Sequence, residues 1–62
     1  MNKKTYDDSI PVGTKVIIKS KGHWANGEWG IIKLFDGINY HVSIWGGEEA
    51  PIFLRKELLW KK

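Results

Sequence analysis

The sequence contains no cysteine, so neither a disulfide nor a thiolate-held zinc can staple it. That absence fits a reducing cytoplasm, where the protein is expected to reside. It has no long apolar run, since lysine interrupts each hydrophobic stretch within a few residues, and this excludes a membrane-spanning helix and a membrane partner. Met1-Asn2-Lys3-Lys4 is followed by Thr5-Tyr6-Asp7-Asp8 instead of an apolar segment, so no secretory leader is expected. Proline occurs twice, and there is no internal repeat and no linker between domains. With 62 residues, the chain is expected to form one domain and to act as a monomer. A domain of that size buries only about 60% of the surface of its unfolded chain, so every apolar side chain that packs matters.

Aromatic and apolar residues are present in strength: 42% of the chain is hydrophobic, and four residues are tryptophan. Their order predicts strands. In "TKVIIKS", residues 14–20, Val16 and Ile18 fall on one face and Lys15 and Lys19 on the other. "WGIIKLF", residues 29–35, is rich in strand formers and too short for a stable helix. From residue 38, Ile38, Tyr40, Val42 and Ile44 alternate with Asn39, His41, Ser43 and Trp45, which predicts a strand with one buried face. Asp36-Gly37 between two such runs predicts a type I′ hairpin turn, because both residues tolerate positive φ. Pro51 opens a fourth extended segment, "PIFLR". "KELLW" then reads as a single helical turn followed by a short last strand. Residues 1–10 lack periodicity and read as a flexible tail, with the folded domain over 11–62. Five short strands in about 50 residues must hide their edges, which points to a small bent barrel.

The residues that carry this pattern also carry a family likeness. Val12-Gly13 leads into Val16 and Ile18; Gly27 or Gly30 precedes Ile32; Tyr40 and Val42 follow the hairpin; and Phe53 is followed by Glu57-Leu58. In this respect residues 12–60 resemble the SH3-like barrel superfamily, which includes KOW-type modules, Tudor-like domains and a small accessory protein of photosystem I. The resemblance implies an all-β, five-stranded SH3-like barrel with one short 3-10 turn before the last strand. It implies a binding module as well, since relatives of this kind bind RNA, DNA, methylated or proline-rich peptides, or large protein complexes. The fold by itself does not choose among these.

Little in the sequence points to chemistry. His23 and His41 lie far apart with no cysteine beside them, so no metal site is expected. His41, Ser43 and Asp36 contain the residue types of a nucleophilic triad. His41 and Ser43, however, are neighbours on one strand face, and nothing nearby resembles an oxyanion hole. "GHWANGEWG" lacks the Lys-Ser/Thr ending of a phosphate-binding loop. No catalytic residue and no cofactor is therefore expected.

What remains is binding. If Gly30, Ile32 and Leu34 point inward, as the resemblance implies, then Trp29, Ile31, Lys33 and Phe35 point outward. Ile17, Trp29, Ile31 and Trp45 would then form an apolar stripe, with Trp24 held out from the glycine-rich loop. Contiguous exposed apolar surface marks binding sites, and tryptophan is enriched at interface hot spots. Docking on a larger protein or nucleoprotein complex through Trp24, Trp29, Trp45, Ile17 and Ile31 is the leading expectation. Tyr6 and Ile10 are the residues of the tail that could instead fold across this stripe.

The net charge of +3 comes from ten basic and seven acidic side chains, and the basic ones cluster. The alternative expectation is direct RNA or DNA binding through Lys15, Lys19, Lys21, His23, Lys33, Arg55 and Lys56, combining cations for phosphates with aromatics for bases. A third reading is an accessory subunit whose barrel is simply structural within an assembly. An aromatic cage for a methylated lysine would need Trp24, Trp29, Tyr40 and Phe53 to converge near Glu28.

Overall fold

A computed structural model of the chain describes residues 9–61. The strands are β1 (Lys15–Ile18), β2 (Trp29–Phe35), β3 (Tyr40–Ile44), β4 (Ile52–Phe53) and β5 (Leu58–Leu59), with a 3-10 turn at Arg55–Glu57 before the last. They form one five-stranded sheet in the order β4-β3-β2-β1-β5. Every neighbouring pair in it is antiparallel. No ladder joins β4 to β5, so the sheet is open along that seam.

Period-two alternation places the core. Val16 and Ile18 from β1, Ile32 from β2, Tyr40, Val42 and Ile44 from β3, Phe53 from β4 and Leu58 from β5 are all buried. Among the described residues only Ile10 and Ala25 join them from outside the strands, and Trp60 packs partly against the cluster. The core thus reaches back one residue before position 11. Ile10 lies in it, and its N–H donates to the Tyr40 hydroxyl at 3.2 Å. Residues 1–8 of the expected tail, Tyr6 among them, lie outside the described residues. Ile10 belongs to the core, so it does not cover the outward stripe.

Two expectations about β2 and its hairpin are corrected. Ile32 pairs with Val42 but Leu34 pairs with His41, so β2 carries one extra residue, a bulge at Lys33. A bulge reverses which face the following side chains meet. Leu34 therefore turns outward and is 45% exposed, while Phe35 moves to the side of Tyr40, with ring centroids 4.5 Å apart. The hairpin tip is also displaced. The Asp36 N–H donates to the Asn39 carbonyl at 3.1 Å, which leaves Gly37 (φ 103°) and Ile38 at the tip. Asp36 is not left-handed. Its Oδ1 instead accepts from the N–H groups of Ile38 and Asn39 at 2.9 and 2.8 Å, and this side-chain turn takes the place of a type I′ backbone turn. Ile38, expected inside, is 72% exposed.

Gly30 in β2 leaves no room for a side chain against β3. A Cβ there would stand 2.5 Å from Val42 Cγ1 and 3.0 Å from the Ser43 carbonyl oxygen. The Ser43 contact is to backbone and cannot swing away. Gly30→Ala is expected to destabilise the domain by about 1–3 kcal/mol through overpacking. The urea midpoint should fall with no change in the slope of the transition. An unchanged midpoint would mean that the two strands separate at no cost.

Candidate functional site

On the face away from the core, strand register assembles a row. Leu59 on β5 lies beside Ile17 on β1, and Ile17 lies beside Trp29 on β2. The Trp45 N–H donates to the Trp29 carbonyl at 3.0 Å, which brings the residue after β3 into line. Side chains directly opposite one another on adjacent strands sit within contact range. The row Leu59, Ile17, Trp29, Trp45 therefore crosses the sheet from edge strand to turn. Leu59, Ile17 and Trp45 are exposed, and Trp29 is half-buried. Ile31, also half-buried, stands in the next row beside Lys15. Lys15 Nζ lies 5.0 Å from the centroid of the Trp29 ring.

Trp45 adopts φ 59°, the sole non-glycine positive φ among the described residues. Gly46 follows at φ 75°, and the Gly47 N–H donates to the Ile44 carbonyl at 2.9 Å. Two left-handed central residues make this the type I′ pattern that was expected at Asp36-Gly37. A left-handed conformation costs an L-residue about 1–2 kcal/mol, which glycine or asparagine would avoid. The Trp45 indole N–H donates to Glu28 Oε1 at 2.9 Å, holding the ring on the surface at 57% exposure. Ser43 is buried beneath the same turn, its hydroxyl donating to the Gly47 carbonyl.

Trp24 is not part of this surface. It sits in the 20–27 loop, whose Ala25 enters the core. Its ring lies 5.5 Å from that of His23, which in turn packs on Phe53 at 4.8 Å. The loop is closely tied. The Ser20 N–H donates to Asn26 Oδ1 and the Ala25 N–H to His23 Nδ1, while the Gly27 N–H returns to the Ile18 carbonyl at 2.8 Å. The loop is also fastened to the 3-10 turn, because the Lys19 N–H donates to the Glu57 carbonyl at 2.7 Å.

The expected sites are therefore redistributed. Trp29, Trp45, Ile17 and Ile31 share the outer face, and Lys15 and Lys33 lie on or beside it. Trp24 groups instead with Lys19, Lys21 and His23, and with Arg55 and Lys56 of the turn. The four rings and the carboxylate of a methyl-lysine cage do not converge, since Tyr40 and Phe53 are buried and Trp29 is on the other face. Leu59 was missed because a two-residue strand shows no alternation from which to read a face. Glu28 was missed as the anchor of Trp45 because 17 residues separate the two. Among the described residues no group of three or more His, Cys, Asp or Glu could hold a metal ion.

Two carboxylates shape the electrostatics. Asp36 is lowered to about 2 by the Asn39 N–H first, then by His41, whose Nε2 lies 2.9 Å from Oδ2. Glu57 is lowered by the Leu54 N–H on Oε1 and by the Ser20 hydroxyl on Oε2.

No family model matches the chain, and neither the curated proteins nor the solved structures give a match.

Glu57 titrates lower in the folded state than in the unfolded one, so its contribution to stability is present at neutral pH. That contribution is lost as pH falls below the ordinary carboxylate range. Glu57→Gln keeps an acceptor for Leu54 and removes the charge. Its unfolding free energy, followed from roughly pH 7 to pH 3, should decline less steeply than that of the wild type. Parallel curves would mean that Glu57 is not held by these bonds.

Proposed function

We propose that the chain is an SH3-like barrel serving as a non-catalytic docking module on a larger protein or nucleoprotein complex. The barrel is supported by the strand order, by the 3-10 turn before β5, and by a physical requirement. All five strands bury the same face, and among the described residues the core takes only Ile10 and Ala25 from elsewhere. A sheet with so little to cover it must curl over its own buried side.

The observation that carries the docking reading is the apolar row Leu59, Ile17, Trp29, Trp45 on the opposite face. An exposed apolar band on so small a molecule fits an interaction surface. Trp45 strengthens the reading. Its left-handed backbone is strained where glycine would hold the same turn, and its indole stays on the surface. Backbone strain of this kind concentrates at functional positions. Ile31 and the Lys15 ammonium over Trp29 complete the surface. The cell compartment proposed for the module is the cytoplasm.

The test is affinity capture from nuclease-treated extract of the cells that make the protein, washed at about 0.5 M salt to strip purely ionic contacts. A partner held by the wild type and by Trp24→Ala, but lost with Trp45→Ala and Ile17→Asp, is the expected result. Retention by Trp45→Ala and Ile17→Asp would overturn the assignment to this face.

A further inference from the structure

The end of the molecule where the 20–27 loop meets the 3-10 turn combines three properties found together nowhere else among the described residues. The first is an exposed indole on a fixed base. Trp24 is 57% exposed, yet the residues on either side of it are anchored: the His23 ring packs on buried Phe53, and Ala25 is in the core. The Asn26 N–H donates to the His23 carbonyl at 3.0 Å, closing the turn around the tryptophan. A ring presented this way needs little further ordering to receive a flat partner.

The second property is a concentration of cations. Lys19 and Lys21 flank Ser20, whose hydroxyl donates to Glu57 at 2.9 Å, and Lys56 precedes Glu57 in the turn. All three lysines are exposed. Arg55 is at the same end but engaged, its Nη1 donating to the Leu58 carbonyl at 3.0 Å with the guanidinium 6.0 Å from the Trp60 ring. The third property is the state of the acid among them. Both oxygens of Glu57 accept hydrogen bonds within the chain, from the Leu54 N–H and the Ser20 hydroxyl. Glu57 ties loop and turn together and keeps its negative charge, which Lys56 beside it offsets, so Lys19 and Lys21 leave this end with an excess of positive charge.

We infer that this end binds single-stranded nucleic acid, the Trp24 indole stacking on one base and Lys19, Lys21 and Lys56 meeting the neighbouring phosphates. A single projecting ring can stack on a base of an unpaired strand, whereas the bases of a duplex already stack on each other. Of the acidic groups outside this end, Glu28 is bonded to the Trp45 indole, Glu48 and Glu49 lie in the turn after Trp45, and Asp36 lies at the far hairpin with His41. The footprint is about three nucleotides and does not read sequence, because no side chain here is set to recognise a base edge. The site is separate from the outer apolar row, so the two readings succeed or fail independently.

Fluorescence anisotropy of labelled 12-mer oligothymidylate and oligouridylate, titrated with the intact protein from about 50 to 200 mM salt, provides the test. Three phosphate contacts predict a log–log salt slope of about −2, at roughly 0.7 per contact on a single strand. Trp24→Ala should weaken binding by about tenfold or more, the loss expected when one stacked base is released. Lys21→Glu should weaken it further and flatten the slope, while Trp45→Ala should leave it unchanged. Circular dichroism confirms that each variant is folded. No binding at about 50 mM salt would overturn the inference, and so would equal loss with Trp24→Ala and Trp45→Ala. Polyglutamate competing as well as oligothymidylate, with the same dependence on Trp24, would overturn it in favour of an acidic protein ligand.

Discussion

Everything in this molecule follows from having one face of one sheet to bury. Five short strands turn their Val, Ile, Leu, Tyr and Phe side chains to the same side, and the rest of the described residues add only Ile10 and Ala25. Among the described residues no second layer packs on the sheet, so the buried face depends on the strands themselves. At Gly30 a methyl group would meet the Val42 side chain and the Ser43 carbonyl oxygen of β3. A small domain holds its fold with a few kcal/mol, so a close approach of this kind is not incidental to stability.

The same constraint explains the outside. A chain that commits its alternating positions to the core must leave the intervening ones in solvent, and several of those are large and apolar. Some are dispersed, such as Val12 and Ile38. Others fall into register across β5, β1 and β2 and continue into Trp45. Antiparallel pairing turns residues far apart in sequence into side-by-side neighbours, which makes a continuous surface from single outward positions. The turn after β3 then sets Trp45 at the end of the row at the expense of an unfavourable backbone angle.

Loops divide the remaining chemistry between the two ends of the sheet. The 20–27 loop is a covered part of the fold, with His23 and Ala25 inward and Glu57 tying its start to the 3-10 turn. Trp24 is the residue left facing out. The bulge at Lys33 and the Asp36 side-chain turn settle the opposite end, where Leu34, His41 and Ile52 share the outer face. Tryptophans that look alike in the sequence thus belong to different surfaces, and lysines that look like one basic patch are split between them.

The amino-acid order by itself determined the three longer strands, the boundaries of β2 and the core positions Val16, Ile18, Ile32, Tyr40, Val42 and Ile44. These follow from alternation at period two, a local property that any stretch of five or six residues displays. It was enough to set Ile17, Trp29 and Ile31 on one face. Only the tertiary structure decided the bulge at Lys33, the hairpin tip at Gly37-Ile38, the left-handed turn at Trp45, the place of Leu59 in the row and the separation of Trp24 from the other tryptophans. Each of these depends on a contact between residues distant along the chain: β2 against β3, Trp45 against Glu28, Ser20 against Glu57. No local pattern records such contacts, because they exist only once the strands have found their register.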